Sequence, residues 1–269
     1  MFNADAKIIQ RMTPMLQRVM IVDPQPAGAR LIGELMRDIA RSQIWTAETH
    51  DKAIRLAASY DPHIIFVDLG PAPLDGVAFT RELRRSRLSA RYAPVIMVTG
   101  NATAAGILAS RDAGVHEFLR RPFTMKDLLR RLEAVTLRPR DWVEAVDYVG
   151  PDRRRFNSGD YSGALKRRSD AAATPDAERL AQALKILRSA IAAVASDPTQ
   201  AMRALQAQVA ELRKCGMSLA DLKLTSAAID FGRYLDEIEA KGAPYERVGL
   251  EAKAATLLAY LPNDEAVAA

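Results

Sequence analysis

The sequence contains a single cysteine, Cys215, in 269 residues. An intramolecular disulfide is therefore excluded, and the chain fits a reducing compartment. No apolar run approaches the roughly 18 residues that a membrane-spanning helix requires, so no insertion into a bilayer is expected. The start, Met1-Phe2-Asn3-Ala4-Asp5, has no basic stretch followed by an apolar one, and no secretory signal is expected. A cytoplasmic location follows as the expectation. Histidine is also scarce. His50, His63 and His116 sit at spacings unsuited to a metal triad, and none follows residue 116. The second half thus lacks the base that Ser/His/Asp hydrolysis needs, and it has no glycine-rich phosphate loop or metal-ligand cluster. An enzyme in the usual sense is not expected.

The formal net charge of +5 is unevenly placed. Residues 1–140 hold 21 Lys+Arg against 14 Asp+Glu, residues 141–170 hold 6 against 6, and residues 171–269 hold 11 against 13. A basic first half could meet an acidic protein, a nucleotide or a nucleic acid. Arg81, Arg84, Arg85, Arg87 and Arg91 read more plainly as a solvated face.

Residues 1–17 form a lead-in with a helical apolar edge of Ile8, Ile9, Met12, Met15 and Leu16. From 18 to 140, short β-branched runs alternate with helix-patterned stretches, which is the βαβ signature of a parallel, doubly wound sheet. Strands are expected at 18–22, 43–47, 63–67, 94–98 and 116–120, and helices at 27–40, 50–60, 75–87, 103–113 and 124–137. Three of the runs deliver a polar group at their end: Asp23, Asp68 and Thr99. In such sheets sites form at the carboxyl ends of strands, so two carboxylates and a hydroxyl should meet at one edge. That set suits a divalent cation and a phosphoryl group. Asp75 reads as a helix cap.

This first part resembles the receiver domain of two-component response regulators. The resemblance rests on Asp23 after the first strand, Asp68-Leu69-Gly70-Pro71-Ala72-Pro73-Leu74-Asp75-Gly76 after the third, Thr99 after the fourth and Arg121-Pro122-Phe123 after the fifth. It implies a five-stranded, flavodoxin-like fold, with Asp68 as phosphoacceptor for a histidine kinase or phosphotransfer protein. It further implies Mg2+ held by Asp23, Asp68 and the Gly70 carbonyl, with Thr99 on the phosphoryl oxygens. Phe118 falls at the family's switching aromatic, although its plainer reading is a core residue. Two positions depart from the family pattern. Pro24 replaces a second acid, which weakens the expected Mg2+ site, and Arg121 replaces the lysine that usually precedes a cis-proline. Arginine keeps the charge but not the geometry of an ammonium.

Residues 141–174 read as an Arg-rich linker or ordered arm with a weak repeat, Tyr148-Val149-Gly150-Pro151-Asp152-Arg153-Arg154 against Tyr161-Ser162-Gly163-Ala164-Leu165-Lys166-Arg167. Arg153, Arg154, Arg155, Arg167 and Arg168 could grip a cyclic dinucleotide by bidentate and stacking contacts. A basic linker docked on its own acidic partner domain is the plainer alternative. Residues 175–262 carry one-sided apolar stripes, such as Leu180, Leu184, Leu187, Ile191 and Val194. They imply an all-α four-helix bundle, with a helix starting at Asp197-Pro198 and another at Ser218 with Asp221. Without a histidine it cannot be an active phosphotransfer bundle. A helix-turn-helix around Lys214-Cys215-Gly216-Met217 would present Asp221, Asp230, Asp236, Glu237 and Glu239, so DNA binding is not expected. The stripes suit a downstream protein partner or a homodimer. The expected function is regulation through phosphorylation of Asp68. A phosphorylation-independent scaffold and a cyclic-dinucleotide-responsive adaptor are the alternatives.

Overall fold

Five runs of mostly aliphatic residues build one parallel sheet: β1 (Arg18–Val22), β2 (Gln43–Ala47), β3 (Ile64–Asp68), β4 (Val95–Thr99) and β5 (Glu117–Arg120), in the order β2-β1-β3-β4-β5. A computed structural model describes residues 3–70, 74–101, 103–153, 175–242 and 244–261. The described residues cluster into two units. One runs to Val143 and resumes over residues 148–153; the other takes residues 144–147 and the helices from Pro175 onward.

In the first unit, the central strands β3 and β4 are buried along their whole length, as expected for strands covered on both faces. Side chains alternate between two cores. Val19, Ile21, Ile64, Phe66, Ile96 and Val98 face α2 (Pro26–Ala40) and α6 (Met125–Thr136). Met20, Val22, Ile65, Val67, Val95 and Met97 face α3 (His50–Tyr60) and α4 (Gly76–Arg85). Helix α5 (Ala104–Asp112) follows β4. The third, fourth and fifth strands each begin one residue later than their apolar runs suggest, so Asp68 and Thr99 are the last residues of their strands. The lead-in is part of this core: α1 (Asn3–Met12) and the 3-10 turn after it bury Met12 and Leu16 with the α2 and α6 side chains.

Two readings of the arginines and of residues 141–151 require correction. Arg84 and Arg91 are not a solvated face; they are 1% and 7% exposed. Arg84 donates to the carbonyls of Gly114 (3.0 Å), Ala93 (2.9 Å) and Arg91, and to His116 Nδ1 (3.1 Å). Its guanidinium lies 5.3 Å from the centre of the Trp142 ring. Burial pushes Arg84 down to about 9, which leaves it charged at neutral pH. Trp142 belongs to a two-stranded ribbon, β6 (Trp142–Glu144) with β7 (Val149–Pro151), where a linker or ordered arm rather than a packed element was expected. The ribbon approaches so closely that a Cβ on Gly114, at φ +92°, would collide with the Val149 carbonyl. Tertiary contacts, which leave no periodic trace in a six-residue ribbon, hold it in place.

In the second unit, α7 (Pro175–Ala193), α8 (Pro198–Ser218), α9 (Leu222–Lys241) and α10 (Arg247–Leu258) close on one core that includes Leu184, Leu205, Leu212, Phe231, Leu235 and Leu250. Residues 144–147 join it: Gln200 donates to Glu144 Oε1 (2.8 Å) and to the Ala145 carbonyl (3.0 Å), and Gln208 donates to the Glu144 carbonyl (3.1 Å). Asp197 caps α8 as expected. The next start lies elsewhere than proposed. Helix α8 runs through Ser218, so Cys215 is a buried helical residue, and Asp221 alone caps α9 by accepting from the Leu224 N–H (2.9 Å). No helix among the described residues is long and apolar enough to cross a membrane.

Burial and the nearby Arg84 and Arg140 charges hold His116 well below its ordinary value, so the folded state keeps it neutral. The unfolded state takes up that proton below about pH 6.5. Stability of the first unit should therefore be full above that pH and fall as the pH drops, by up to about 1.4 kcal/mol per unit. Urea midpoints measured from about pH 7 to 5 should show this decline, and His116→Gln should remove most of it. His63, shifted down more weakly by burial and Arg18, supplies a remainder. An unchanged slope in the variant would place the proton uptake elsewhere.

Candidate functional site at the carboxyl edge of the sheet

Parallel register fixes which groups meet. Asp23 follows β1, Asp68 ends β3, Thr99 ends β4 and Arg121 follows β5. The ladder continues past the strands: Leu69 N–H donates to the Val98 carbonyl (2.8 Å), and Arg121 N–H donates to the Thr99 carbonyl (2.7 Å). All four residues are thereby brought to one edge of the sheet. The Arg121-Pro122 peptide is cis.

The centre of the site is a fork between two acids. Arg121 Nη1 donates to Asp68 Oδ1 at 2.8 Å, and Nη2 donates to Asp23 Oδ2 at 2.6 Å. Asp23 and Asp68 are buried, at 2% and 7% exposure. Their remaining oxygens are also engaged. The Gln25 N–H donates to Asp23 Oδ1 (2.8 Å), and the Gly70 N–H donates to Asp68 Oδ2 (2.9 Å). Charge-assisted bonds of this length are among the strong ones in proteins. Stripping a buried carboxylate of its counter-ion costs about 3–5 kcal/mol, so the fork is a main support of this edge.

Glycines make room for it. A Cβ on Gly28, in the first turn of α2, would collide with the Asp23 carboxylate and stand 2.9 Å from Arg121 Nη2. A Cβ on Gly76 would meet the Asp68 carbonyl oxygen. Asp75, as expected, caps α4 by accepting from the Ala78 N–H (2.9 Å).

The Thr99 hydroxyl is turned to Asn101, donating to its carbonyl (2.9 Å) and accepting from its N–H (3.1 Å). Gly70 meets Asp68 through its N–H. Phe118 is half-buried and packs on the core that contains Met97. Arg153 is held within the first unit, 2.8 Å from Asp112 Oδ1 and 3.6 Å over the Tyr148 ring, so its described partners belong to the receiver and not to the acidic helical unit. Arg154, Arg155, Arg167 and Arg168 lie outside the described residues.

Mg2+ demands near-octahedral oxygen coordination at about 2.1 Å and dehydrates reluctantly. Here the facing oxygens of Asp23 and Asp68 are held by guanidinium N–H groups, and Pro24 contributes no side-chain oxygen. Among the described residues no group of three or more Asp, Glu, His or Cys is arranged to hold a metal ion. So arranged, the set does not fit Mg2+. Arg121 was legible only as a stand-in for lysine. Its contact with both acids, and the room left by Gly28, had no signal in the sequence.

Residues 19–133 match the family model described as the response regulator receiver domain, and this stretch is a receiver domain. Among curated proteins, the chain is 31% identical over 132 residues to the KDP operon transcriptional regulatory protein KdpE of Escherichia coli, covering 49% of this chain and 56% of that one. It is 28% identical over 120 residues to KdpE of Mycobacterium tuberculosis, covering 45% and 51%. It is 26% identical over 133 residues to the cell cycle response regulator CtrA of Brucella ovis, covering 49% and 56%. The chain thus spans about half the length of these relatives. A similar solved structure is the receiver domain of the sensor histidine kinase PA1611 from Pseudomonas aeruginosa PAO1, with a magnesium ion in its active-site cleft. It is 26% identical, covers 44% of this chain and 94% of that one, and gives a TM-score of 0.40. Receiver domains typically bind Mg2+.

Gly76→Ala tests how tightly the Asp68 backbone is packed. Although alanine favours a helix over glycine, the new methyl meets main-chain atoms that cannot move aside. The expected loss in denaturant unfolding is about 1–3 kcal/mol; a neutral or stabilising result would show that this loop has slack.

Proposed function

We propose that this chain is a cytoplasmic two-component signalling protein in which Asp68 accepts a phosphoryl group and the helical unit carries the output to a protein partner. The observation that carries this reading is the convergence of Asp23, Asp68, Thr99 and Arg121 from four strand ends on one edge. The donor is a histidine kinase or phosphotransfer protein. An oxygen of Asp68 bonds to phosphorus as the phosphorus–nitrogen bond of a phosphohistidine breaks, and the nitrogen keeps the electron pair and takes a proton from solvent. A carboxylate attacks an anionic phosphoryl group only when a cation offsets the repulsion, and Arg121 stands beside Asp68 to do so. Thr99 then exchanges Asn101 for a phosphoryl oxygen, which biases a two-state change around β4 and β5. The protein acts as a regulator rather than by turning over a small substrate.

The exposed side chains of the helical unit favour a protein partner over DNA. Leu222 is 84% exposed and Val248 77%, and α9 carries Asp230, Asp236, Glu237 and Glu239 against Lys223, Arg233 and Lys241. That KdpE is named a transcriptional regulator does not bear on this unit, because the match reaches only about half of each relative.

A second reading, a receiver that signals without phosphorylation, is favoured by one observation: all four carboxylate oxygens of Asp23 and Asp68 already have a partner. Intact-mass spectrometry after incubation with acetyl phosphate separates the two. A mass gain of one phosphoryl group, absent in Asp68→Asn, is the expected result. No gain under any condition would leave the phosphorylation-independent scaffold.

A further inference from the structure

We propose that the Arg121 guanidinium is the resident cation of this receiver, replacing a divalent ion as the group that balances the buried acids and making the site insensitive to Mg2+. The inference deepens the reading of the Asp68 edge as the signalling site, but it does not require that Asp68 be phosphorylated.

Two features of the chain that look like separate losses make one compensated change. Pro24 withdraws an acid, so the pocket holds two carboxylates rather than three. With the Arg121 guanidinium already in place, a divalent ion would set three positive charges against these two acids, each of which also accepts a backbone N–H. Arg121 in place of lysine supplies the second half. An ammonium is a compact point charge, whereas the guanidinium presents separate N–H groups in a rigid plane and can hold two carboxylates at once. The distances of 2.8 and 2.6 Å show both arms in use. Gly28 keeps the approach open, since a side chain there would strike both Asp23 and Arg121. The surroundings also restrict any alternative. The acid side chains are nearly withdrawn from water, at 2% and 9% exposure, while the Arg121 side chain between them is 26% exposed. For Mg2+ to bind, at least one arm of the fork must let go of a buried carboxylate, and among the described residues no third acid is grouped with the pair to repay that loss.

The test is calorimetric titration of the full chain with MgCl2, together with thermal unfolding at matched ionic strength, on the wild type and Arg121→Lys. The wild type should give no saturable heat and an unchanged midpoint up to about 10 mM Mg2+, whereas Arg121→Lys, which cannot bridge both acids, should bind at least about tenfold more tightly and gain thermal stability with the metal. Saturable binding by the wild type in the low-millimolar range would overturn the proposal, and this arm stands even if the variant fails to fold. A metal response absent from both proteins would overturn it as well, because the loss of the acid at Pro24 would then suffice. Phosphoryl gain from acetyl phosphate is read separately. Gain that strictly requires Mg2+ overturns this inference while keeping Asp68 as acceptor. No gain, with metal insensitivity in the wild type and a response in Arg121→Lys, keeps the inference and removes that role for Asp68.

Discussion

Two carboxylates buried at neighbouring strand ends repel one another and have lost most of their water, so the edge of this sheet can exist only with a cation between them. The parallel ladder places Asp23 and Asp68 there whether or not the charges are comfortable, because their positions are set by the strands that precede them. Arg121, delivered by the last strand, meets both. The local turns follow from the same need. The Gln25 and Gly70 N–H groups face the acids, and Gly28 and Gly76 bear no side chain where one would intrude. A substitution at any of these positions is therefore felt through the charge balance of the pair and not only through its own contacts.

A second cation is buried with no carboxylate among the partners described for it. Arg84 spends its donors on three carbonyls and His116, and it rests against Trp142. Isolated charge in a core is costly, and here carbonyl dipoles and an aromatic face offset it. The gain is architectural. Arg84 ties the end of α4 and the turn before β5 to the ribbon that leaves the receiver, so residues 148–153 are fixed parts of the domain rather than tether. The arginines of this chain thus do two unlike jobs: one pairs with two acids at the carboxyl edge of the sheet, and the other joins backbone at the opposite end of β4.

How much of this could be read in the residues depended on periodicity. The five strands and the flanking helices were legible because β-branched runs and apolar spacing repeat, and Asp23, Asp68 and Thr99 were legible because each closes such a run. What periodicity does not encode was lost. Arg84 and Arg91 look like their exposed neighbours Arg81 and Arg85 in sequence, since burial of a charge depends on carbonyls contributed from residues 91–114. The ribbon at Trp142 and Tyr148 is too short to show alternation. The start of α9 was placed three residues early because Ser218 and Asp221 share the spacing of a reciprocal cap, and only the Asp221 contact with Leu224 forms. At the site, an arginine in place of a lysine was legible at position 121, but not that its guanidinium would reach the second acid.

The most direct test of the account is a high-resolution crystal structure of the chain grown in excess MgCl2. The guanidinium of Arg121 should remain between Asp23 and Asp68, with no metal bonded to either carboxylate. An octahedral ion bound by these two acids, with Arg121 turned out to solvent, would contradict it.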